Sequence, residues 1–197
     1  MATYSKAFEH AVSHSMFYEV GGFWREDHPA VARGLIDTAA NRRAVGYVND
    51  PLDRGGETKF GVAKNANTDL NITTLTWEQA KAAYYVRYWL AGKCDRLPAR
   101  IAVLHFDGCV NHGVARANKF LQRSVGVNPD GVVGAITIAK AAAANEMQVL
   151  GSICTQREQF YRAIVAKNPG QARFLKGWLT RITEMRAYVT RKENTFL

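Results

Sequence analysis

The sequence predicts an α+β protein that is predominantly α-helical, with a small β-region near residues 45–62. Three observations carry this expectation. Apolar residues recur every third or fourth position near the N-terminus and through most of the chain after Thr76. Between these helical stretches lies VNDPLDRGGETKFG, residues 48–61, which packs three acids, a proline and three glycines into one short run. That run is too broken for a helix and too polar for a buried strand, so it reads as turns around short strands. Finally, 47 % of the 197 residues are hydrophobic, enough for a sizeable core and against disorder.

Residues 5–20 form an amphipathic helix on this reading. Phe8, Val12 and Met16 fall on one stripe with Ala11 beside them, and Gly21 and Gly22 end it. Glu19 comes three turns after Phe8, near the same face. It sits at a helix C-terminus, where the dipole disfavours a negative charge. Residues 24–46 are a charged segment whose middle suits a short helix. After the polar run, Thr76 and Gln79 make a capping box ahead of WEQAKAAYYVRYWL. Pro98 suits the first turn of PARIAVLHFDGCVNHG, apolar almost all round and therefore expected to be central. VARANKFLQRSVG, the turn VNPDGVVG, the helix AITIAKAAAA and two long striped helices complete the chain.

Composition narrows the function classes. Lys plus Arg number 26 against 17 Asp plus Glu, a net charge of +9 that points to an acidic partner: nucleic acid, an anionic membrane surface or an acidic wall polymer. Cys94, Cys109 and Cys154 are far apart with no CxxC pair, which reads as buried reduced thiols rather than disulfides or a zinc–thiolate site. His10 and His14 have the i, i+4 spacing of a metal pair, but no third ligand is near in sequence and both are expected on the solvent face. No apolar run reaches the roughly 18 residues of a membrane span, and the N-terminus has no signal-peptide pattern. The expectation is a chain made in the cytoplasm that needs outside help to leave it.

Two features then combine. A carboxyl group closes the first helix, and a cluster of carboxylates with a threonine sits on the next turn. Acids in contrasting environments are how glycosidases obtain one proton donor and one base or stabiliser. YEVGGF followed by YVNDPLDRGGETKFGV resembles the signature of glycoside hydrolase family 108, the N-acetylmuramidase endolysins of phages and related bacterial proteins. AAYYVRYWLAGKCDRLP, FDGCVNHGVARANKFLQRSVGV and PDGVVGAITIAKA resemble the peptidoglycan-binding-like region that follows that family's catalytic part. The resemblance covers most of residues 5–144 and departs from the family pattern twice. Val20 interrupts Glu-Gly-Gly, and residues 24–46 are inserted where the motif usually runs on.

The resemblance implies a lysozyme-like fold, with residues 1–92 as the catalytic part and 93–197 as a helical lobe packed against it as one compact unit. It implies Glu19 as the general acid, Asp53 or Asp50 as the second carboxylate, and Thr58 as the hydroxyl that positions the attacking water. Asp53, five residues before Thr58, is the favoured choice. Asp50, between Asn49 and Pro51, is equally good as a turn former. Glu57 is expected on the surface. Tyr88 and Trp89 are candidate sugar-stacking residues, although aromatics at helical spacing are more often core. Asn111 and His112 are candidate substrate contacts, although with Asp107 they more simply form a structural polar network. The implied activity is hydrolysis of the β-1,4 bond between N-acetylmuramic acid and N-acetylglucosamine during phage-driven lysis. The expected partner is peptidoglycan rather than nucleic acid, with no cofactor, no metal and a monomeric state. Release to the periplasm would be holin-dependent. A lytic transglycosylase using Glu19 alone and a non-catalytic wall-binding module are the alternatives.

Overall fold

The computed structural model describes residues 3–22, 24–50 and 55–196. It is mainly helical with one two-stranded sheet among the described residues. By packing, the chain divides into two units, Val12–Val86 and a second that joins the chain up to Ala11 with Arg87–Leu197.

The helix α1 spans Lys6–Glu19, and its stripe of Phe8, Ala11, Val12 and Met16 is fully buried. It ends as the glycine pair predicts. Gly21 and Gly22 take φ of 70° and 84°, and the Gly22 amide donates back to the Phe17 carbonyl at 2.7 Å. The segment 24–46 holds two short helices where one was expected, α2 at Pro29–Arg33 and α3 at Ala39–Ala44. Gly34, with φ 62°, closes α2, and the Thr38 hydroxyl caps α3 by accepting from the Asn41 amide. Strands β1, Thr58–Lys59, and β2, Val62–Ala63, pair antiparallel. Their two-residue turn has φ of 52° at Phe60 and 70° at Gly61, the primed geometry that matches strand twist. Val48 extends the sheet by bridging to Thr58. The capping box at Thr76 and Gln79 is present and opens α4, Trp77–Tyr84, which runs on as a π-helical stretch, Tyr85–Leu90.

In the other unit, a 3₁₀ turn at Cys94–Arg96 leads to α5, Ala99–His112, with Pro98 as its N-cap. Residues 101–109 of α5 are all buried, as its apolar circumference predicts. Helices α6 (Val114–Ser124), α7 (Ala135–Ala143), α8 (Glu146–Lys167) and α9 (Ala172–Thr190) follow, and α5 packs against α6, α8 and α9. Trp89 belongs to this core. It is 2 % exposed, and its ring lies 5.4 Å from Phe8 and 5.8 Å from Phe106 between centroids. A ring so enclosed offers no face to a sugar, which corrects its candidacy as a stacking residue. His10 does not lie on a bare solvent face as expected: its Nδ1 is 2.6 Å from the Tyr188 hydroxyl and its ring packs on Phe196. No described helix is long and apolar enough to cross a membrane.

Candidate active site

In the unit Val12–Val86, the insertion leaves and returns at one point. A Cβ on Gly46 would lie 2.7 Å from Val20 Cγ1, so the end of α1 and the resumption of the polar run are in direct contact there. The insertion is also bolted down along its length. Glu26 accepts from the Trp77 indole at 2.9 Å and lies 3.4 Å from Lys81 Nζ. Trp24 meets Trp77 edge-on with centroids 4.6 Å apart, and Phe60 joins the same cluster. Folding thereby cancels the sequence separation that the insertion creates.

The consequence falls on Glu19. A Cβ added to Gly61 would lie 3.0 Å from Glu19 Cβ and 2.5 Å from the Tyr84 hydroxyl, so the hairpin backbone runs between these two side chains. Tyr84 donates to the Phe60 carbonyl at 3.1 Å and holds the turn in place. Glu19 itself is half-buried. Thr58 sits three residues before Gly61 on the same hairpin and exchanges both backbone bonds with Val48, at 2.8 and 2.9 Å. Its hydroxyl donates to the Gly56 carbonyl at 3.2 Å, which leaves the oxygen able to accept from a water. Asp50, two residues beyond Val48, is exposed. Asp53, the favoured second carboxylate, lies outside the described residues.

Two side chains here escaped the sequence reading. Glu57 is half-buried rather than a surface residue: its Oε1 accepts from Tyr47 at 2.9 Å and from Thr73 at 2.7 Å. Burial, and then this carboxylate, push the Tyr47 phenol above its ordinary value. Lys59 is 0 % exposed and donates to the carbonyls of Gly34 at 2.7 Å and Thr73 at 3.0 Å. Burial pulls its ammonium below the usual lysine range, against the pull of Glu57. A lysine at one strand position carries no sequence mark that it will turn inward to tie an insertion to a hairpin.

The remaining candidates lie in the other unit. Asn111 accepts a hydrogen bond from the Tyr161 hydroxyl, and His112 Nε2 accepts from Arg157 Nε at 3.0 Å. Asp107 binds Arg157 at 2.6 Å and Arg181 at 2.7 Å. These contacts form the structural network that buried polar groups on α5 require. Tyr88 is half-buried within the π-helical stretch.

Comparison with known proteins decides the class. Residues 28–113 match the family described as Glycosyl hydrolase 108, and residues 116–183 match the Predicted Peptidoglycan domain. The chain thus carries a glycosyl hydrolase 108 domain followed by a peptidoglycan domain. The structure of SagA from Brucella abortus is similar at a TM-score of 0.65 and 29 % identity, over 77 % of this chain and 90 % of SagA. No curated protein matches the sequence. The fold is accordingly lysozyme-like α+β, and the chain is a peptidoglycan hydrolase of the glycoside hydrolase type. The family match contains Asp50, Thr58 and the hairpin but begins at His28, after Glu19. Only the fold brings that glutamate to the family's hairpin.

Proposed function

We propose that this family 108 hydrolase is an N-acetylmuramidase that cleaves the β-1,4 bond between N-acetylmuramic acid and N-acetylglucosamine. The observation that carries the reading is the passage of the Gly61 backbone against Glu19, which sets the helix-end carboxyl beside the hairpin bearing Thr58. Glu19 protonates the leaving glycosidic oxygen. Asp53 or Asp50 supplies the second carboxylate, and Thr58 accepts from the water that captures the oxocarbenium-like centre. The front part of the chain, residues 1–92, does the chemistry, and the part from 93 onward holds the glycan. The net charge of +9 favours the anionic wall. Its setting is phage-driven lysis, with the protein reaching the periplasm by holin-dependent release.

The test is a peptidoglycan digest with Glu19→Gln beside wild type. The amide keeps the shape but cannot donate the proton, so activity should fall by about 10²–10⁴ with the thermal transition unchanged. Wild-type products should end in N-acetylmuramic acid that borohydride reduces. Full activity in folded Glu19→Gln removes the acid from this position. Anhydro-muropeptides, lighter by one water, would make the enzyme a transglycosylase, in which no water is held.

A further inference from the structure

The mechanism uses none of the sulfur in this protein, yet two cysteines distant in sequence meet in the core. Cys94 lies on the turn before α5, and His105 and Cys109 stand one helical turn apart on α5 itself. Their exposures are 1 %, 1 % and 0 %, and their ligand atoms all lie within 4.8 Å of one another. Among the described residues, these three make a group of His, Cys or carboxylate side chains close enough to share an ion.

Two spacings around His105 Nε2 match a tetrahedral site, and the Gly92 carbonyl, 3.1 Å from the same nitrogen, is its hydrogen-bond partner in the structure. Cys109 Sγ is 3.6 Å from His105 Nε2. A tetrahedral zinc ion, with Zn–S of about 2.3 Å and Zn–N of about 2.0 Å, holds sulfur and nitrogen about 3.5 Å apart. Asn118 Oδ1 is 3.1 Å from the same nitrogen. A zinc-bound oxygen at about 2.1 Å would stand about 3.3 Å from it. Asn118 is aimed by its own amide, which donates to the Gly131 carbonyl at 2.9 Å and leaves Oδ1 facing the cluster. Gly92 makes room for the sulfurs: a Cβ there would lie 2.7 Å from Cys109 Sγ and 3.3 Å from Cys94 Sγ.

A cation in the middle would deprotonate both thiols.

We propose that Cys94, His105 and Cys109, completed by the side-chain carbonyl of Asn118, bind one thiophilic divalent cation, with zinc as the natural occupant. The site is closed to solvent, so its role is to tie the turn at Cys94 to α5 rather than to activate water. Binding releases two protons. They come from the two thiols, or from one thiol and one imidazolium if the Cys109 proton resides on His105, and His105 keeps its remaining hydrogen on Nδ1.

The experiment uses the full chain without a histidine tag, unfolded and refolded under reductant and argon with cobalt(II) chloride. Tetrahedral cobalt bound by thiolates shows visible d–d bands and near-ultraviolet thiolate-to-cobalt charge transfer, and both should saturate at one cobalt per chain. Zinc should bleach the spectrum by displacement and raise the thermal midpoint. Cys109→Ser and Cys94→Ser should each lose about half of the charge-transfer intensity, and the double variant all of it. Cys154→Ser should match wild type. Refolded wild type with native helical circular dichroism but no cobalt spectrum overturns the proposal without needing any variant. So does equal loss in Cys154→Ser, or a Cys94–Cys109 disulfide that persists under the reductant.

Discussion

The two polar regions of this molecule treat charge in opposite ways. Around α5, Asp107 is fully buried between Arg157 and Arg181, and His112 and Asn111 are spent on neighbours from α8. At the front, Glu19 is half-buried, Asp50 is exposed, and the hairpin that meets Glu19 has strands of two residues. A buried charge must be satisfied internally or it destabilises the fold. A catalytic carboxyl must instead leave a side open to substrate and water. The contrast teaches that full burial and internal pairing mark the α5 cluster as structural, whereas the proposed site lies at the half-buried Glu19 beside a short hairpin.

The largest expected effect breaks the α5 network. Asp107→Asn leaves two guanidinium groups without their counter-charge in the core and should cost about 3–5 kcal/mol, read by urea unfolding. That is a large share of the roughly 5–15 kcal/mol that holds a typical domain folded. A loss below about 1 kcal/mol would mean that the network contributes no more than surface charge does, and the contrast between the regions would fail.

Gly61→Ala probes the front. The new methyl would enter a left-handed position, at φ 70°, and stand 2.5 Å from the buried Tyr84 hydroxyl. A destabilisation of about 2–3 kcal/mol is expected, combining roughly 1–2 kcal/mol for the backbone with the displaced contact. Because Glu19 is the other neighbour, turnover per folded molecule should also drop at least about tenfold. Unchanged turnover with reduced stability would show that the hairpin braces the fold without setting the pose of Glu19.

The smallest effect is a pH dependence. Burial first, and then the Arg157 charge, hold the His112 imidazole down at about 3 from an ordinary 6.5. Its folded value is depressed, so the unfolded chain binds the extra proton between those limits. Stability is therefore complete above about pH 6.5 and falls as the solution is acidified. Between pH 7 and pH 5 the loss should be about 2 kcal/mol, at about 1.4 kcal/mol per unit below 6.5. Asp107 does not share this window. Its depressed carboxyl is opposed by burial but held by both arginines, and its contribution fades only below its ordinary 3.8. His112→Gln keeps an acceptor for Arg157 and should flatten the curve between pH 7 and pH 5. An unchanged slope would place the titrating group elsewhere.

Local pattern carried much of the architecture. The α1 stripe, its glycine ending, the capping box at Thr76 and the apolar circumference of α5 follow from spacing and cap chemistry, which act within a few residues. Glu19 and Thr58 stand out in the sequence as candidates because the motif around them is unusual in a helical chain. Pairings across the chain were not legible. Nothing local marks Lys59 as a buried tie to Gly34, Glu57 as the acceptor for Tyr47 and Thr73, or Trp89 as core rather than sugar platform. Cys94 and Cys109, fifteen positions apart, looked unrelated until a turn and a helix set them against His105. The joining of Glu19 to its hairpin across residues 24–46 depends on Val20 meeting Gly46 and on Gly61 having no side chain. Periodicity and caps are short-range and written in consecutive residues. Which distant side chains share one small volume is decided by packing, and only the folded chain brings them there.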